Sequence, residues 1–268
     1  MLFGKKRKET VAMSAIPRSV GVNDLDPSRI PAHIAIVMDG NGRWAKTRHL
    51  PRVMGHKEGV NTLREICRAA SDLGVQILTV FAFSSENWKR PADEVNFLMD
   101  LVVEALQRDF LQMMENQLIL RTCGDLSALP QRTRLAIEQA KEKMAHNTGM
   151  ILNVAINYGG RWELTEACRK IGEEIHQGLL DPAQIDEHTI AMHLTTAGLP
   201  DPDLFIRTSG EERISNFLLW QLAYSELYFT DVKWPDFQPA NLYQAIYAYQ
   251  NRDRRFGGIK PDGRETLC

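Results

Sequence analysis

The sequence predicts one α/β domain, a central parallel β-sheet flanked by helices. Three observations carry that expectation. Short apolar runs of strand character recur along the chain, stretches of helical period separate most of them, and no composition break or internal repeat divides the 268 residues. Strands alternating with helices imply parallel pairing through right-handed crossovers. A chain of this length can bury a substantial core. Its 44% hydrophobic and 25% charged content is ordinary for a globular protein.

The first strand is expected at 34–38, a continuous apolar run rich in β-branched residues. A helix follows over 59–73, with Leu63, Ile66 and Ala70 on one side. Further strands are expected at 77–83, 118–122, 151–156, 204–206 and 227–230. The helix at 130–146 sets Leu135, Ile137, Ala140 and Met144 against lysines and glutamates. The one at 162–175 does the same through Leu164, Ala167, Cys168 and Ile171. The stretch 94–115 is different: Val95, Leu98, Val102 and Leu106 form one apolar stripe, and Phe97, Leu101 and Ala105 a second. A helix with one buried face does not need both. It is either embedded in the core, the reading preferred from the residues alone, or it lines an apolar cavity or a subunit interface.

A formal charge of −2 excludes a general nucleic-acid footprint, so the local clustering of basic residues points to a small anionic ligand. No apolar run is long enough for a transmembrane helix. The four cysteines show no metal-binding spacing, and three in apolar contexts are expected to be buried thiols. Lys5-Lys6-Arg7-Lys8 is not followed by the apolar core of a secretory signal, and cytoplasmic residence is expected. Residues 1–18 read as a flexible basic tail, 19–258 as the domain and 259–268 as a C-terminal tail. The basic run is simplest as a solvated segment. Contact with an anionic membrane surface, at about 1 kcal/mol per basic residue, is the alternative.

Ligands of a parallel sheet bind beyond the carboxyl ends of its strands. Asp39 ends the first strand and is followed by Gly40-Asn41-Gly42, whose glycines let backbone N–H groups approach a ligand. Arg43, Lys46, Arg48, Arg52 and Lys57 come next, with no acidic residue before Glu58. One carboxylate, a small-residue turn and a basic segment suit a metal-bound, multiply charged phosphate; a strand-end turn with a solvated basic face is the alternative. Ser84-Ser85-Glu86-Asn87-Trp88-Lys89-Arg90-Pro91 follows the second strand, and Arg207 to Asn216 follows the 204–206 strand. Three such loops on one sheet edge would bring Arg43, Arg52, Arg90, Arg207 and Arg213 within reach of one cleft.

Four blocks resemble the cis-prenyltransferase family, most closely its bacterial undecaprenyl diphosphate synthases: HIAIVMDGNGRWA from His33, SSENWKRP from Ser84, NYGGRW from Asn157 and DLFIRTSGEERISNFLLWQLAYSELYF from Asp203. The likeness runs from about His33 to Gly258. It implies a parallel-sheet α/β domain with an elongated hydrophobic tunnel, whose wall would include the helix at 94–115. It implies repeated condensation of isopentenyl diphosphate onto an allylic diphosphate, usually farnesyl diphosphate, giving undecaprenyl diphosphate for the cell wall. Magnesium dependence and a homodimer are implied too. On the family pattern Asp39 is the magnesium-associated catalytic carboxylate. Gly40, Asn41, Gly42 and Arg43 cradle the allylic diphosphate beside Trp44, Arg52 and His56. Ser84, Ser85, Glu86, Trp88 and Arg90 lie in a mobile substrate-binding loop where Asn87 is the proton acceptor. Arg207, Arg213, Ile214 and Ser215 hold isopentenyl diphosphate, and Glu226 is a second metal-associated carboxylate. Met150 and Leu152 fall toward the tunnel end. Arg255-Phe256-Gly257 resembles a terminal RxG motif that approaches a partner's site.

The chemistry suits these groups. Departing diphosphate carries about three negative charges that arginines, a metal and backbone N–H groups must stabilise. An asparagine amide is a poor base, so a diphosphate oxygen is the better final proton acceptor, with Asn87 orienting it. Taken alone, His56 reads as solvent-facing; the resemblance favours donation to a phosphate oxygen. Trp88 is either core packing or, as its place in a polar loop favours, a contact with substrate. A trans-prenyltransferase would be mainly helical with aspartate-rich DDxxD motifs, and a P-loop hydrolase needs GxxxxGK[ST]; neither motif occurs. A non-catalytic partner subunit would lack Asp39 or the arginines that this chain keeps. The product leaves for a membrane, and peripheral contact at its inner face is part of the expectation.

Overall fold

The structure, a computed structural model, describes residues 20–252. The basic tail at 1–18, the 259–268 tail and the Arg255-Phe256-Gly257 motif lie outside the described residues. Six strands form one sheet: β1 (His33–Val37), β2 (Ile77–Ser84), β3 (Ile119–Cys123), β4 (Ile151–Tyr158), β5 (Leu204–Arg207) and β6 (Glu226–Phe229). Their order is β3-β4-β2-β1-β5-β6. Every pairing is parallel, so all the strands end at one edge. β1 is buried throughout, as a central strand covered on both faces must be.

Seven helices cover the sheet among the described residues: α1 (Asn41–Thr47), α2 (Arg52–Asp72), α3 (Ala92–Glu115), α4 (Gln131–Lys143), α5 (Gly160–His176), α6 (Glu187–His193) and α7 (Pro239–Gln250). α6 and α7 stand where the sequence analysis read no helix, and two further helices differ from its expectation. α1 stands where a turn and a basic segment were read, and α2 starts seven residues earlier than 59. The early glycines hide both, because glycine lowers helix propensity. Their role here is contact: a Cβ at Gly55 would sit 2.0 Å from the Asn41 carbonyl oxygen, so the close crossing of α1 on α2 requires glycine.

α3 resolves the other ambiguity. Val95, Met99, Leu101 and Val103 are buried, yet Leu98, Leu101, Val102, Ala105 and Leu106 line a cavity between the helix and the sheet. The two stripes serve that cavity as well as the core. The expected faces of α4 and α5 are narrower than read. Leu135 is exposed, and α4 buries Thr133, Ile137 and Ala140 instead. Cys168 is also exposed, because α5 buries Glu163, Ala167 and Ile171, four residues apart. Cys67 and Cys123 are buried as expected, and burial pushes the Cys67 thiol up to about 12.

Candidate active site

Asp39 stands two residues past the end of β1, and its backbone is fixed from three directions. Its N–H donates to Thr208 Oγ1 at 2.9 Å, while its carbonyl accepts from Thr208 Oγ1 at 2.7 Å and from the Trp234 N–H at 2.9 Å. The next residue, Gly40, adopts φ 103° and donates its N–H to Asp39 Oδ1 at 2.6 Å. A Cβ there would lie 2.7 Å from Ser209 Oγ, so this position needs glycine for both conformation and space.

Arg207, the last residue of β5, is 4% exposed. Its guanidinium bonds the Arg213 carbonyl at 2.5 Å, Ser215 Oγ at 2.7 Å and Asp39 Oδ2 at 3.0 Å. Nε of Arg207 has no partner. The loop that wraps it holds Ser209, Ser215, Asn216 and Leu218 at positive φ, a concentration of unfavourable backbone typical of functional sites. Arg43 reaches Asp39 at 3.4 Å and Glu211 at 2.9 Å, and Glu211 also pairs with Arg213.

A second cationic group faces it. Glu94, in the first turn of α3, accepts from Arg52 at 3.1 Å and Arg90 at 2.9 Å, with His56 Nε2 at 3.8 Å. Burial first, and Arg90 second, push the His56 imidazole down to about 4, so it is neutral at pH 7. A neutral ring still has one N–H to donate. Sequence reading missed Glu94. The available signal was its place three residues past Pro91, where an acid complements a helix N-terminus.

The loop after β2 forms a short 3-10 turn over Ser85–Lys89. Asn87 Oδ1 accepts the Ser84 N–H at 3.1 Å, which commits the oxygen that would act as a base and leaves the amide NH2 for a ligand. Ser85 Oγ lies 3.4 Å from Glu86, and Glu86 accepts from Asn216 at 2.9 Å, tying this loop to the one after β5. Trp88 packs edge-to-face on Phe83 and donates to Asn157 Oδ1 at 2.7 Å.

These groups rim a cavity of about 640 Å³. Asp39, Gly40, Asn41, Gly42, Arg52 and His56 line it from the β1 side. Ser84, Glu86, Asn87 and Arg90 line it from the β2 loop, and Arg207 and Ser215 from the β5 loop. Below them the wall turns apolar through Phe83, Leu98, Leu106, Leu120, Ile137 and Leu152. Arg43 and Arg213 stand at the exposed mouth, and Ile214 packs against the Phe205–Phe217 cluster.

Three expectations need correction. Trp44 faces away from the cavity, donating to Asp236 at 2.7 Å with Arg48 over its ring, because α1 turns that face toward the segment at 234–236. Met150 is buried in the main core and only Leu152 reaches the cavity. Glu226 opens β6, level with Leu204 and Ile34, and is paired with Arg252 at 2.8 Å. Asp39 lies five residues further along, about 16 Å at strand rise, so the two carboxylates of one chain cannot share an ion. Among the described residues no group of three or more His, Cys, Asp or Glu could hold a metal.

Comparison with known proteins adds the following. A family model described as "Putative undecaprenyl diphosphate synthase" matches residues 37–257. A ditrans,polycis-undecaprenyl-diphosphate synthase, (2E,6E)-farnesyl-diphosphate specific, of Lactiplantibacillus plantarum is 56% identical over 238 residues, covering 88% of this chain and 92% of that one. An isoprenyl transferase of Streptococcus thermophilus is also 56% identical, covering 86% and 94%. Among solved structures, lavandulyl diphosphate synthase of Lavandula x intermedia in complex with dimethylallyl diphosphate matches with TM-score 0.84 and 41% identity, over 86% of this chain and 99% of that one. A probable undecaprenyl diphosphate synthase of Campylobacter jejuni matches with TM-score 0.70 and 33% identity, over 85% and 98%.

Proposed function

Since this chain belongs to the undecaprenyl diphosphate synthase family of cis-prenyltransferases, we propose that the cavity adds isopentenyl diphosphate repeatedly to farnesyl diphosphate, giving undecaprenyl diphosphate. The supporting observation is a rim rich in arginine around Asp39, set over a deep apolar cavity. That division matches an isoprenoid diphosphate, whose two ends differ in the same way.

On this reading Gly40, Asn41, Gly42, Arg43, Arg52 and His56 hold the allylic diphosphate. Arginine suits the task because its planar fork binds phosphate oxygens bidentately and stays charged. Arg207, Arg213 and Ser215 hold the diphosphate of isopentenyl diphosphate, which places its double bond against the allylic carbon. Loss of diphosphate leaves a delocalised cation, the double bond attacks it, and a proton departs. Asn87, with its oxygen engaged, donates its NH2 to a diphosphate oxygen and so orients the group that takes that proton. Trp88 closes over the loop without entering the cavity.

The site fits magnesium carried in with substrate. Asp39 is one-third exposed at the mouth, and this ion favours one or two carboxylates completed by phosphate oxygens and water. When bound, magnesium neutralises charge on the leaving diphosphate. Each added unit buries five carbons, up to about 4 kcal/mol at ~0.8 kcal/mol per CH₂, so the growing chain stays bound. Delivery to a membrane, a homodimeric assembly and cytoplasmic residence complete the proposal. No helix among the described residues is long and apolar enough to cross a membrane.

The test is incubation with farnesyl diphosphate, labelled isopentenyl diphosphate and magnesium, followed by sizing of the products. Asp39→Ala is expected to abolish condensation with the fold intact; near-normal activity in that variant removes the central role of Asp39.

A further inference from the structure

Asn216 joins three segments of the chain. It follows Ser215, whose hydroxyl holds Arg207 at 2.7 Å. Both residues take left-handed backbone, with φ 50° at Ser215 and 62° at Asn216, a conformation that asparagine adopts more readily than most side chains. The Asn216 carbonyl accepts the Gly160 N–H at 2.7 Å, and its Oδ1 accepts the Arg161 N–H at 2.9 Å. These are the first two donors of α5, which have no partner inside the helix, and Gly159 before them offers no capping side chain. The amide can therefore stand only one way round. With Oδ1 on Arg161, its NH2 is turned to Glu86 and donates to Oε1 at 2.9 Å.

Gly159 lets these segments meet. A Cβ there would lie 2.7 Å from Asn216 Nδ2 and 2.8 Å from Ser85 Oγ. The amide thus ties the loop after β2 to the loop after β5, next to Ser215 on one side and through the neighbour of Asn87 on the other. Ser215, Asn216, Glu86 and Asn87 all line the cavity. A carboxylate on this rim repels a diphosphate, and the bond to Asn216 gives Glu86 a reason to stand there. We infer that Asn216 is a positioning residue for condensation: its amide locks the β2 loop in the register that sets Asn87 opposite the isopentenyl diphosphate held by Arg207 and Ser215. The inference rests on the proposed function and adds to it the link between the two loops.

The full chain is assayed in a single turnover with farnesyl diphosphate, labelled isopentenyl diphosphate and magnesium, and its affinity for farnesyl diphosphate is measured separately by calorimetry. Asn216→Asp keeps the acceptor for Arg161 and sets a second carboxylate against Glu86. Loss of this charge-assisted bond is expected to slow the first condensation by about tenfold or more, with the Kd for farnesyl diphosphate within about threefold of wild type. Adding Glu86→Gln to that variant returns a donor to the pair and is expected to restore much of the rate. A role in folding alone does not respond in this way, because the α5 cap is the same with either residue at position 86. Glu86→Ala breaks the link without touching α5, so it decides the matter if Asn216→Asp fails to fold. It is expected to show the same loss, and a rate within about twofold of wild type overturns the inference. A slowed Asn216→Asp that Glu86→Gln leaves no faster also overturns it, with the proposed function untouched. A wild-type protein that cannot extend farnesyl diphosphate overturns the proposed function and this inference with it.

Discussion

Replacing Arg207 by lysine keeps the charge and removes the fork. Arg207 is 4% exposed and bonds the Arg213 carbonyl, Ser215 and Asp39 at once. A lysine ammonium on its thinner stem keeps one of these contacts. Two charge-assisted bonds are then lost, each about 1.5–3 kcal/mol, and the loop carrying Ser215 and Asn216 at positive φ loses its internal post. A loss of about 3–4 kcal/mol corresponds to about 10²–10³-fold in kcat/KM for isopentenyl diphosphate. Arg213, by contrast, is 61% exposed and its guanidinium pairs with Glu211, so Arg213→Lys is expected to cost less than about tenfold. Steady-state kinetics with varied isopentenyl diphosphate at saturating farnesyl diphosphate compares the two. Equal losses, or Arg207→Lys within fivefold of wild type, would refute the idea that Arg207 is the buried organiser.

Glu94→Gln removes the anion shared by Arg52, Arg90 and His56, so calorimetry with pyrophosphate and magnesium should give a Kd several-fold lower; a higher Kd makes Glu94 a support and not a competitor. Gly40→Ala forces a side chain into φ 103° and toward Ser209. At about 1–2 kcal/mol for the conformation alone, Tm should fall by about 4 °C with a clear loss of turnover, and an unchanged Tm would contradict the local geometry. Burial pushes the His33 imidazole down to about 4, so the unfolded chain takes up a proton first as pH falls below about 6.5. Stability from this group is complete above that pH and declines toward pH 4, a loss of about 2 kcal/mol at pH 5. Urea midpoints should fall accordingly and less steeply in His33→Gln; parallel profiles for the two proteins would contradict this.

The sheet, and the gathering of three loops at one edge, were legible because apolar runs and the polar segments after them are local signals. Asp39 lies just past β1, Arg90 closes the turn after β2 and Arg207 ends β5, and the parallel pairing does the rest. α1 was not legible, since Gly40 and Gly42 read as a turn and the glycine its crossing requires, Gly55, lies on α2. Glu226 misled for a related reason. Motif membership says nothing about which end of a strand a carboxylate occupies, and here it occupies the end away from Asp39. Glu94 was hidden in a helix read for its apolar stripes, and its three partners come from two other segments. Cys168 shows the limit of counting apolar neighbours: a step of one residue on α5 turns the side chain outward.

α2 and α3 are pinned together twice, by Arg52–Glu94 near the rim and by Arg64–Asp109 further down, with Val60 and Ala105 between. A pair of struts fixed in this way can bow apart at mid-span while the upper joint stays put. Substitutions at the lower joint can then loosen the apolar wall between the two helices while Arg52 and Glu94 keep the rim in register.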